Sequence, residues 1–181
     1  VKSKELNMLW VKTKSKAKQL CYALKNGEHS LIEMQINQSK GEVEIQIPLL
    51  KSEFSFKKQN AWNTNLDIFK DGNLIGNTKS EKLYSNKFVL TLNGYEYNYF
   101  YRNNPLAELL IYDAKREEDL LSCGLFVKPG GVVETEFRMY DAGNKCKDIM
   151  LIQAIVWYLF YPVALENTSS DSILLLMLGG M

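Results

Sequence analysis

From about residue 19 to residue 140 apolar and polar side chains alternate with a period of two, and turn dipeptides punctuate the alternation. That period places successive side chains on opposite faces of an extended chain, so it predicts half-buried strands. Asn26-Gly27 reads as a tight two-residue turn, because both residues tolerate positive φ. A turn there sets Leu24 against His29, Tyr22 against Leu31 and Cys21 against Ile32, with Lys25 facing Glu28. GEVEIQIP alternates Val43, Ile45 and Ile47 with Glu42, Glu44 and Gln46 and stops at Pro48. Asp71-Gly72 predicts a second hairpin, with Phe69 opposite Leu74 and Ile68 opposite Ile75. Asn93-Gly94 predicts a third, with Leu92 opposite Tyr95, Leu90 opposite Tyr97 and Phe88 opposite Tyr99. ELLIYDAKREEDLLSCGLFV reads as two apolar strands around a charged loop, and the chain turns again at Pro129-Gly130-Gly131. Closely spaced strands with short loops predict an antiparallel meander.

After Asp148 the texture changes. IMLIQAIVWYLFYPVAL runs from Ile149 to Leu165 without a charge, and Asp148 is placed to cap a helix there. At 1.5 Å per residue the segment is roughly 26 Å long. Its more polar side chains, Gln153, Trp157 and Tyr161, recur at intervals of four and share one stripe. A helix apolar on nearly every side has to be surrounded, by protein or by lipid. The dry faces of the strands need a cover, so the expected fold is mainly β: a closed antiparallel β-barrel of hairpins around a C-terminal hydrophobic helix at about residues 148–165. SILLLMLGG supplies a final strand. The competing expectation is a membrane span over Ile149–Leu165, which Gln153 and Pro162 count against.

The chain has 181 residues, enough for one ordinary domain, and its 46% hydrophobic and 24% charged residues are those of a globular protein. Residues 1–18 form a basic arm or edge strand in this reading, and 19–181 the barrel domain. Net charge is +1, but seven lysines against Glu5 alone put the first 25 residues at +6, and therefore the remainder at −5. In VKTKSKAK, Lys12, Lys14, Lys16 and Lys18 alternate with Val11, Thr13, Ser15 and Ala17. In a strand all four ammonium groups share a face, which suits an anionic headgroup or a nucleic-acid phosphate; the plainer reading is a solvated edge guarded by lysine, or a mobile arm. Three scattered cysteines, Cys21, Cys123 and Cys146, point to a reducing compartment rather than a disulfide scaffold. VKSKELNMLWVK lacks the apolar core of a secretory signal, so a cytoplasmic protein is expected, peripheral to a membrane if it binds lipid.

Chemistry is sparse. His29 is the single histidine, and strand parity separates it from the nearest candidate nucleophile, Cys21. No Cys/His pair has zinc spacing, Asp141, Asn144 and Asp148 do not match a calcium loop, and no glycine-rich phosphate loop is present. Glu117-Glu118 and the Glu134, Glu136 pair read as solvated surface. No catalytic residue, metal or cofactor is expected. Tyr95, Tyr97, Tyr99 and Tyr101 line one strand face and read as core, as the wall of a pocket, or as a stacking platform.

Hairpins followed by a hydrophobic helix near the C-terminus and a closing strand resemble the tubby C-terminal-like superfamily, which includes tubby, phospholipid-scramblase and LURP-one-related proteins. The likeness rests on LDIFKDGNLIG (Leu66–Gly76), similar to the strand–Asp-Gly–strand repeat of the LURP-one branch, on IYDAKREEDLLSCG, and on DIMLIQAIVWYLFYPVAL. The resemblance implies a β-barrel with a central helix and a role in binding, with anionic lipid or a membrane surface as partner; the net charge of +1 gives no global pull towards nucleic acid, which is not an expected partner. Tubby-type members bind phosphoinositide headgroups through basic residues on the barrel surface. The expected function is accordingly a non-enzymatic binding module for an anionic ligand such as a phospholipid headgroup, with Lys12, Lys14, Lys16 and Lys18 as its contacts. The alternative is a small enzyme or carrier with a pocket lined by Tyr95, Tyr97 and Tyr99.

Overall fold

The computed structural model describes residues 8–13, 18–59, 65–80, 87–103, 106–131, 133–167 and 176–178. Twelve strands run β1 (Met8–Lys12), β2 (Gln19–Asn26), β3 (His29–Asn37), β4 (Glu42–Ile47), β5 (Ser52–Lys58), β6 (Leu66–Lys70), β7 (Asn73–Ser80), β8 (Lys87–Leu92), β9 (Tyr95–Asn103), β10 (Ala107–Asp113), β11 (Asp119–Val127) and β12 (Val133–Met139). Each pairs antiparallel with the next, as the alternation predicts. A one-turn helix, α1 (Asp141–Asn144), leads into α2 (Ile149–Asn167), and β13 (Leu176–Leu178) returns parallel to β12. The protein is mainly β, a twelve-strand antiparallel sheet with one core helix.

The expected register holds along β8–β9: Leu92, Leu90 and Phe88 stand opposite Tyr95, Tyr97 and Tyr99. It fails at the first hairpin. There Asn26 pairs with His29 and the turn is Gly27-Glu28. A bulge between Leu24 and Lys25 then sets Leu24 against Ile32 and Tyr22 against Met34, while Lys25 meets Ser30 rather than Glu28. The reason is burial: Ile32, Met34 and Ile36 are the richer apolar set of β3, and the bulge turns that set inward with Tyr22 and Leu24. In β6–β7, Phe69 meets Leu74 as expected, but a bulge leaves Ile75 over and Ile68 faces Gly76. A Cβ on Gly76 would stand 2.2 Å from the Thr91 carbonyl oxygen, so the backbones approach closely there and only glycine fits.

Helix α2 is buried from Leu151 through Tyr158 without a break, more than two turns, so every side of it is covered. Strands from both ends of the sheet supply the cover. Trp157 stacks on Trp10 of β1 and meets the edge of Tyr22 of β2, Tyr158 meets Phe56 of β5, and β10, β11 and β12 pack on the other flank. Tyr101 of β9 donates to the Leu159 carbonyl at 3.0 Å, near the place where Pro162 offers no N–H to the helix. The start of α2 is tied to the Asn93 turn. The Asp148 carbonyl accepts from Ile152 N, and its carboxylate accepts from Asn93 Nδ2 at 2.9 Å and Tyr97 OH at 3.4 Å. By length and composition alone α2 also qualifies as a membrane span, with mean hydropathy 1.6; 56% of that stretch is buried within the fold.

The sheet curls round the helix, but among the described residues β1 is laddered only to β2 and β13 only to β12. The backbones of β1 and β13 nevertheless come within 8 Å of each other. Hydrogen-bonded closure of the barrel is thus not part of the described structure.

Candidate anion-binding corner

Hairpins alternate between the two ends of a meander, and α2 runs from the end that carries the Asn93 turn to the other. At that other end three stretches of chain are held together by backbone hydrogen bonds. Strand β1 stops at Lys12, and Lys18, in the left-handed region (φ 64°), opens β2. The Lys18 carbonyl accepts from Gln38 N at 3.2 Å, which seats this segment on the β3–β4 turn. That turn is shaped by Asn37, whose Oδ1 accepts from Ser39 Oγ at 2.8 Å and Lys40 N at 3.3 Å. It closes at Gly41 (φ 64°), whose carbonyl accepts from Lys58 N, at the end of β5, at 3.4 Å.

Lys12, Lys18, Lys40, Lys57 and Lys58 are all exposed around this corner. Two carboxylates stand beside them: Glu42 lies 3.2 Å from Lys57 Nζ, and Asp67, the cross-strand partner of Lys57, accepts from Gln59 Nε2 at 2.8 Å. Both members of the Lys57–Glu42 pair are solvent-accessible, so the pair contributes little to stability, on the order of 0–1 kcal/mol. Among the described residues the ion pairs of this corner involve Lys57 alone, which leaves a local excess of positive charge. Lys12 lies opposite Tyr22 and shares the face of Trp10, the inward face at the end of the strand. Lys14 and Lys16 lie outside the described residues. The chain reverses between Lys12 and Lys18, so these two do not extend one straight strand. Lys40 and Lys58 were missed in the sequence because only the register brings their turns beside Lys18.

The tyrosine row serves another purpose at three of its four positions. Tyr95 is 65% exposed at the turn, but Tyr97 and Tyr99 are buried. Tyr99 stacks on Phe88 at 5.1 Å, and burial pushes its hydroxyl up to about 12 even though a hydrogen bond with Thr78 pulls it down. Burial, Cys146 at 3.7 Å and the Asp148 carboxylate hold Tyr97 well above the ordinary phenol range. Tyr101, half-buried, is likewise raised, first by burial. A cleft of about 540 Å³ lies elsewhere, on the outer face of β2–β4, where Glu33 and Glu44 line it with Gln35 and Gln46. Lys25 lines it as well, against the two carboxylates, so the cleft carries a net negative lining.

Cys21 pairs with Gln35 and His29 with Asn26, which puts them on opposite faces of the hairpin and makes no nucleophile–base pair. Burial pushes the Cys123 thiol well up, which disfavours the reactive thiolate. Among the described residues no three His, Cys, Asp or Glu side chains gather as a metal site. None of the protein-family models, curated proteins or solved structures compared with the chain matches it.

Proposed function

We propose that the protein is a binding module that engages an anionic surface, such as phospholipid headgroups, through its lysine-bearing corner. The carrying observation is that backbone hydrogen bonds seat Lys18, Lys40 and Lys58 at one corner beside Lys12, while Glu42 is ion-paired with Lys57 and the Asp67 carboxylate accepts from Gln59. Lys14 and Lys16 belong to the same segment in sequence and add to its charge. In this reading the scaffold is a tubby-like barrel. The strand order, the enclosed helix and the approach of β13 to β1 support that reading, with β1 and β13 closing the sheet around α2. The protein then works in the cytoplasm at a membrane surface and carries no reaction of its own.

The test is co-sedimentation with vesicles. Binding to phosphatidylserine or phosphoinositide vesicles, absent from phosphatidylcholine alone, is expected to weaken steeply with salt. Changing Lys12, Lys14, Lys16 and Lys18 to Gln lowers the affinity by about two to three orders of magnitude, at about 1 kcal/mol per lysine. Failure of the intact protein to bind anionic vesicles at low salt overturns the function. Closure has its own test: amide hydrogens of β1 that point away from β2 exchange slowly in a closed barrel, and rapid exchange there means the sheet is open.

A further inference from the structure

Four buried polar atoms belong to side chains gathered on one flank of α2: Nε1 of Trp10, Nε1 of Trp157, the hydroxyl of Tyr22 and Oε1 of Gln153. None of them has a hydrogen-bond partner among the described residues, and all four residues are 1% exposed or less. They belong to one knot. The Trp10 and Trp157 rings stack at 5.6 Å and 17°, Tyr22 meets the edge of Trp157 at 5.2 Å, and Gln153 lies one turn ahead of Trp157 on the same helix face. Buried polar groups in folded proteins are mostly bonded to protein or to an ordered molecule, so four exceptions on one set of packed side chains call for an occupant.

Their chemistry describes what would satisfy them. The two indole N–H groups ask for an acceptor, the glutamine carbonyl oxygen asks for a donor, and the phenol takes either. A charge is unsuited to so buried a place. We propose that this knot is a binding site for a small uncharged molecule bearing both donors and acceptors, with water as its smallest occupant. This site is independent of the lysine corner, and either stands without the other.

A crystal structure at about 1.5 Å resolution is the first test. The expected result is density within about 2.7–3.2 Å of at least two of the four atoms. Water there sustains the site, and a larger molecule on the same atoms sustains it and names a different occupant. A dry interface, with none of the four atoms bonded, overturns it. The second test compares Gln153→Met, close in volume but without the carbonyl, and Tyr22→Phe with the parent. Each is expected to lower the melting temperature by about 2–4 °C by stripping the occupant of an anchor. Parent-like or higher melting in both variants overturns the site, because a group with no partner is better removed.

Discussion

The β2–β3 and β8–β9 hairpins carry the same Asn-Gly dipeptide and use it differently. At β8–β9 both residues are left-handed, Asn93 at φ 51° and Gly94 at 81°, and the ladder that follows is straight. At β2–β3 only Gly27 is left-handed, Asn26 stays in the strand, and Leu31 is left over at a bulge. The tyrosines of β9 already fall in phase with Phe88, Leu90 and Leu92. In β3 the same straight turn would have sent Ile32, Met34 and Ile36 outward with Cys21. A turn dipeptide is worth a kcal/mol or so, whereas burying three large apolar side chains is worth several, so the apolar pattern sets the register and the turn gives way.

Deletions give the largest effect. Removing Thr91 turns Leu90, fully buried, onto the polar face opposite Glu96, a loss of about 2–5 kcal/mol for that residue alone; chemical denaturation is expected to find the variant unfolded or nearly so. Removing Leu31 takes out the spare residue and keeps Leu24 against Ile32, so this variant folds cooperatively. Equal damage from the two deletions would refute the account of the bulge.

Alkaline pH comes next, because each hairpin buries a tyrosine. Burial, with Tyr161 adding for Tyr22, pushes Tyr22 up to about 12, as burial does Tyr99. A phenol raised in the folded state favours folding below its unfolded value near 10, where both states are protonated. Between about 10 and 12 the unfolded chain ionises first, so stability falls, by on the order of 2 kcal/mol per tyrosine. Urea denaturation from pH 9 to 12 is expected to show this slope, and Tyr22→Phe and Tyr99→Phe each to flatten it. The smallest effect is local. Asn93→Ala forces alanine into the left-handed region and removes the bond to Asp148, costing about 1–2 kcal/mol, while Asn26→Ala stays within about 0.5 kcal/mol. Matching losses would mean that the two turns are alike.

Much of the architecture could be read from period and composition. The meander, the third hairpin and the helix all follow from local signals: alternation, Asn-Gly, and an uncharged run of the right length. What escaped were features decided at long range. Bulges at Leu24 and Ile68 answer to the opposite wall of the core, and α1 is too short to leave a periodic trace. The lysine corner was half visible. Charge in residues 12–18 is plain in the sequence, but the company of Lys40 and Lys58 depends on Gln38 reaching the Lys18 carbonyl, and no spacing announces that. The polar stripe of Gln153, Trp157 and Tyr161 was evident as a stripe, yet only the fold shows that Trp10 and Tyr22 meet it.

Twelve strands precede α2 in the chain, and strands from both ends of the sheet turn their dry faces towards it. During synthesis those faces have nothing to rest on until the helix leaves the ribosome, so the fold cannot be built up stepwise behind the growing end. A nascent polypeptide stalled before residue 149 is a sticky ribbon that needs a chaperone's shelter, and the element that lets these strands collapse emerges only after all twelve of them.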